Sequence, residues 1–213
     1  MQRLIVKDIN MNKDELKRRI SEANTHDEYA GLANMLLSTP VPWFFVDRYG
    51  EQSIDKYSEF KVYISNKFRV TSNDISLAGS AWMGYSLTPT KHFRNFTDES
   101  DIDIVIISQR IFNSFWDCYF KELTKGSLSG EIYVDISKNT FKRFVDYKID
   151  QPLNISQSYY KNFHKQISGY ARDLQVNFDF PSRIGYRIYR SWEDYRMNVI
   201  HNLKDIKAVL ECR

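Results

Sequence analysis

The chain has 213 residues, 42% hydrophobic and 15% aromatic, with 30 Lys and Arg against 27 Asp and Glu, for a net charge of +3. That is one ordinary domain with enough apolar residues for a packed core, which excludes a disordered chain, and its near-balanced charge does not demand a nucleic-acid partner. Two cysteines without zinc spacing exclude a stapled scaffold and fit a reducing cytoplasm, no apolar run reaches the roughly 18 residues of a membrane span, and the opening MQRLIVKDINMNKDELKRR lacks the apolar stretch of a leader peptide.

Residues 12–37 carry Leu16, Ile20 and Ala23, then Tyr29, Leu32 and Leu36, at helical steps, with Asn24-Thr25 as a break between two helices. Pro40 and Pro42 stop the pattern, Trp43-Phe44-Phe45 enters the core, and Gly50 marks a turn. A second amphipathic helix is predicted over 52–68, with Ile54, Tyr57, Phe60, Ile64 and Phe68 along one stripe. The short apolar run Ile75–Ala78 leads into Gly79-Ser80, residues 85–100 read as a long polar loop, and 101–108 alternates as a strand. A helix over 110–124, a strand over Glu131–Ile136, an ambiguous segment over 138–152 and a helix over 156–172 follow. The last helix is predicted to begin behind Pro181-Ser182 and to carry Ile188, Trp192, Tyr195, Val199, Leu203, Ile206 and Leu210. Arg183, Arg187 and Arg190 would then form a basic ridge beside that stripe.

One constellation among these elements carries chemistry. Side chains of a strand alternate between faces, so Asp101 and Asp103 project from the same face about 7 Å apart, while Ile102, Ile104 and Ile106 turn toward a core. Two ionised carboxylates so placed repel unless a cation lies between them. A hard ion such as Mg²⁺ takes one or two carboxylates together with substrate phosphates. An Asp-x-Asp pair that merely faces water on an edge strand is the plain alternative. Gly79-Ser80 weighs against it. Ser80 is expected to N-cap a helix opening at Ala81, the free N–H groups there favour a phosphate, and Gly79 has no Cβ to hold a triphosphate off the backbone. Asp135, between Val134 and Ile136 in the predicted strand, would be costly to bury without a metal or a proton to accept, which makes it the third acid ahead of Glu131. Lys91 and Arg94 in the long loop are candidate contacts to a triphosphate or an acceptor.

Gly79-Ser80, Gly84, Asp101-Ile102-Asp103 and Asp135, spread over about residues 50–140, together resemble the pattern of the DNA polymerase beta-like nucleotidyltransferase superfamily. The helix predicted over 52–68 falls where that family places one. The 20 residues between Ser80 and Asp101 exceed the gap in the family's compact members, so 85–99 would be a substrate loop or a lid. The resemblance implies an α+β fold: a nucleotidyltransferase core with a small mixed sheet over 50–145, an N-terminal helical segment (1–49) packed on it, and a C-terminal helical region (146–213). It implies Mg²⁺ or Mn²⁺ on Asp101, Asp103 and Asp135, a nucleoside triphosphate (ATP foremost) against Gly79, Ser80, Lys91 and Arg94, and transfer of a nucleoside monophosphate to a hydroxyl of a protein, an RNA or another nucleotide. The short chain behind the core points, by family analogy, to a cytoplasmic stand-alone transferase of a bacterial toxin–antitoxin or phage-defence locus. The alternative is a non-catalytic module that keeps the fold to bind a nucleotide or a partner protein.

Overall fold

The computed structural model describes residues 12–128 and 130–212. The leader-peptide reading falls in large part on residues 1–11, outside the described residues. Helices α1 (Lys13–Glu22) and α2 (His26–Leu37) flank the expected break. Thr25 and Glu28 close it with a reciprocal capping box, each side chain accepting the other residue's backbone N–H, so a new helix starts there. Helix α3 (Trp43–Tyr49) opens behind Pro42 and buries Phe44 and Phe45 completely. In α4 (Ser53–Phe68) the residues Tyr57, Phe60, Ile64 and Phe68 face inward, but Ile54 is 58% exposed. Ser53, one residue and about 100° earlier, takes the first place on that stripe.

Strands β1 (Ile75–Ala78), β2 (Ile102–Ile107), β3 (Phe144–Lys148) and β4 (Ile184–Tyr189) form one mixed sheet in the order β1-β2-β4-β3. The outer pairs are antiparallel and the central pair, β2 with β4, is parallel. The fold is α+β, as the sequence predicts. Period two splits every strand between the sheet's faces. On one face Leu77, Ile104, Ile106, Val145, Tyr147, Tyr186 and Ile188 join the main core with α4, α6 (Gln109–Thr124) and α8 (Ser158–Phe178). On the other, Val105, Ile107, Phe144 and Tyr189 pack with Ala78 and with Tyr195 of α9 (Trp192–Glu211). Cys118 is buried and Cys212 exposed, both as free thiols, and no helix among the described residues is long and apolar enough to cross a membrane.

Two predicted elements are corrected. Residues 131–136 are not a strand: they lie in helix α7 (Gly130–Phe141), where the half-buried Ile132, Ile136, Asn139 and Thr140 recur at helical steps. Residues 184–189 are not the start of the last helix. They form β4, a central strand, so the segment read as a C-terminal helical region supplies the middle of the sheet, and the basic ridge dissolves with Arg187 on β4 and Arg190 beyond it. Both runs are short and apolar, the case in which periodicity alone does not separate strand from buried helix.

Asp194 ties the last helix to this frame. It is 4% exposed, and its carboxylate accepts hydrogen bonds from Arg143 Nη1 (2.9 Å) and Arg190 Nε (3.0 Å). Burial raises its pKa, but the two arginines outweigh burial and hold the carboxyl below its ordinary range. A depressed carboxyl stabilises the fold above its unfolded pKa and loses that contribution as pH falls through the folded value. Asp194→Asn is expected to cost about 2 kcal/mol at neutral pH, a drop of roughly 4 to 8 °C in melting temperature. The difference from the parent should vanish in acid, and equal melting curves at pH 7 would refute the role.

Candidate functional site

The acids occupy a single face of the sheet, and its register shows how they meet. Ala78, Asp103, Gly185 and Lys148 form one row across the four strands, and Ser76, Val105, Arg187 and Asp146 form the next. Tyr189 and Tyr195 lie beneath, buried, and burial raises both phenols so that they stay neutral. Above them opens a cleft of about 500 Å³, lined by Gly79, Ser80, Lys91, Arg94, Asp101 and Asp103 together with Asp146, Lys148, Arg183 and Arg187. Six of the seven residues predicted for the site thus share one cleft. Asp135 does not: it is exposed on α7 and absent from the lining, because the helix carries it away from the sheet face.

Gly79 and Gly185 let the row close up. Gly79 sits at φ +63°, ends β1 and turns the chain into the short helix α5 (Gly79–Met83), and a Cβ there would stand 3.6 Å from Asp103 Oδ2. A Cβ on Gly185 would stand 2.8 Å from Asp103 Oδ1, so any other residue there would push the Asp103 carboxylate aside. Ser80 does not cap the helix. The cap position is Ala78, without a side-chain hydrogen bond, and Ser80 lies inside the first turn. At five residues α5 has little macrodipole to offer an anion. Lys91, Arg94, Lys148 and Arg183 supply the positive charge instead.

The long loop is an ordered flap. Tyr85 bridges Asn95, Ser86 N–H donates to Arg94 O (2.8 Å) and Phe96 N–H to Gly84 O (2.8 Å). Phe93 is buried and Phe96 packs on Trp43 and Phe44, which fixes Lys91 and Arg94 at the mouth of the cleft.

Asp146, Gly185 and Arg187 are the residues the sequence reading missed. Arg187 Nη2 is 2.7 Å from Asp103 Oδ2, while its buried Nε and the buried Asp146 Oδ1 have no hydrogen-bond partner. Burial pushes the Asp146 carboxyl above its ordinary range, against the pull of Arg187, and the charge of Asp103 adds to the rise. Among the described residues no group of three acids or other ligating side chains stands close enough to hold a common ion. The donor set nevertheless fits a hard divalent cation. It is all carboxylate oxygen, Asp101 forms no ion pair among the described residues, and Asp146 Oδ1 is buried and uncommitted.

A larger apolar groove, about 1080 Å³, runs between α6, α7 and α9 and shares Lys142 and Asn198 with the cleft. Among the described residues the acid lining it is Asp194, already held by Arg143 and Arg190, and the groove also carries His201. No protein-family model, curated protein or solved structure matches this chain.

Proposed function

We propose that the chain is a metal-dependent nucleotidyltransferase, moving a nucleoside monophosphate from a nucleoside triphosphate to a hydroxyl. The observation that carries this reading is the meeting of Gly79 with Asp103 in one cleft beside Asp101, with Asp146 on the same sheet face. Asp101 and Asp103 would hold Mg²⁺ or Mn²⁺, which when bound neutralises triphosphate charge and acts as a Lewis acid at the α-phosphate. Lys91 and Arg94 neutralise the outer phosphates, and the bare backbone at Gly79 lets them come close. Asp146, its carboxyl raised above the ordinary range by burial, is suited to take the acceptor's proton. The hydroxyl oxygen then bonds to the α-phosphorus, the bridging bond to the β-phosphate breaks, and pyrophosphate leaves. Asp146 replaces Asp135 in this scheme.

The test is incubation with α-labelled ATP, GTP, CTP and UTP, Mg²⁺ or Mn²⁺, and candidate acceptors (the chain itself, cell lysate protein, RNA). Label in any acceptor, with pyrophosphate released, is the expected result. A second reading, a non-catalytic module, is favoured by one observation: Arg187 already neutralises Asp103. It requires nucleotide or partner binding with no label transferred in any combination.

A further inference from the structure

Arg187 stands where a cation belongs. Its guanidinium reaches Asp103 from the neighbouring strand, and its register position is directly beside Asp146. A settled structural ion network would satisfy both partners, yet Arg187 Nε and Asp146 Oδ1 are each buried, opposite in charge and unbonded. The Asp103 carboxylate packs over Gly185, whose missing Cβ gives it room on that face beside Arg187. Arg187 holds the Asp103 oxygen nearest Gly79.

We infer that Arg187 is a built-in counter-cation that occupies Asp103 in the metal-free protein and competes with a divalent ion for it. The inference rests on the metal assignment above and adds a role for a residue that the proposed scheme leaves without one. Its consequence is economy of binding: the bare protein holds the ion weakly, and the nucleotide's own phosphates are needed to draw the ion in.

The test uses metal-free full-length protein titrated with Mn²⁺ alone, with free ion read by electron paramagnetic resonance. Arg187→Met is expected to bind Mn²⁺ about ten- to a hundredfold tighter than the parent, the range of a charge-assisted hydrogen bond removed from the competitor's side. Unchanged or weaker binding in that variant, or no binding by either protein, overturns the inference; weaker binding would make Arg187 a support that orients Asp103. Should Arg187→Met fail to fold, the parent answers directly. Its Arg187 Nε–H resonance, identified by its loss in Arg187→Lys, is expected to move on saturation with Mg²⁺, and a resonance that stays fixed while Mg²⁺ binds has the opposite meaning. Label transfer is scored separately. Competition without transfer would remove the enzymatic reading and leave the counter-cation in place, and transfer without competition would do the reverse.

Discussion

Asp101→Asn is expected to lower nucleotidyl transfer by at least about a thousandfold while leaving the melting temperature almost unchanged. Asp103→Asn should lose both. The two acids share a strand face, and in a metal site each supplies an oxygen that an amide replaces poorly. Their structural surroundings differ. Asp101 has no ion pair among the described residues, so its charge is removed without stranding another. Asp103 is 2.7 Å from the Arg187 guanidinium, and neutralising it leaves a partly buried cation without its bonded acid. Breaking such a pair from one side costs about 3 kcal/mol, which for a chain of this size is roughly 6 to 12 °C. That is an upper figure, because Asp146 stands in the adjacent register position to take up part of the charge. Rates with the best nucleotide, set beside scanning fluorimetry of the same preparations, separate the two effects. Full activity in Asp101→Asn would end the reading of the cleft as an active centre.

The half of this site that sequence reveals is the half built by local geometry. Asp101 and Asp103 belong to one strand, and alternation alone places them on one face. Gly79 belongs to the turn after the neighbouring strand and is recognisable by its lack of a side chain where β1 stops. Helices α1, α2, α4 and α6 were readable for the same reason, since their stripes and breakers lie within a few residues of each other. Asp146, Gly185 and Arg187 are different. Their roles depend on β4 being inserted between β2 and β3, a pairing of residues about 80 positions apart that no local pattern encodes. Two signals were nonetheless present. Phe144-Val145-Asp146-Tyr147-Lys148 alternates as Ile102–Ile107 does, with an acid among apolar residues. Ile184-Gly185-Tyr186-Arg187-Ile188-Tyr189 is rich in β-branched and aromatic residues, and a glycine inside such a run marks a close approach. Ile188 happens to sit four residues before Trp192 and extends the stripe of α9 backward, and that coincidence hid the strand.

The third acid is where the sequence and the structure make opposite forecasts, so it is the sharper comparison. Asp146→Asn is expected to reduce transfer by about a hundred- to ten-thousandfold, the range for loss of a positioned proton acceptor, whereas Asp135→Asn should leave the rate within about twofold. Stability adds a signature that a damaged fold would not produce. Burial outweighs the attraction of Arg187 and raises the Asp146 carboxyl in the folded protein. The folded state therefore binds this proton more readily than the unfolded chain, and stability falls as pH rises from the ordinary aspartate range through the raised value. Of its two forms, the ionised carboxylate is the one burial penalises. Asparagine removes that cost, so metal-free Asp146→Asn should melt no lower than the parent at pH 7, and the parent should gain on it as the medium is acidified through that window. An inactive variant that melts well below the parent at pH 7 would place Asp146 in the framework instead of the chemistry. Should Asp135→Asn prove the inactive one, the assignment of the proton acceptor to Asp146 would fall.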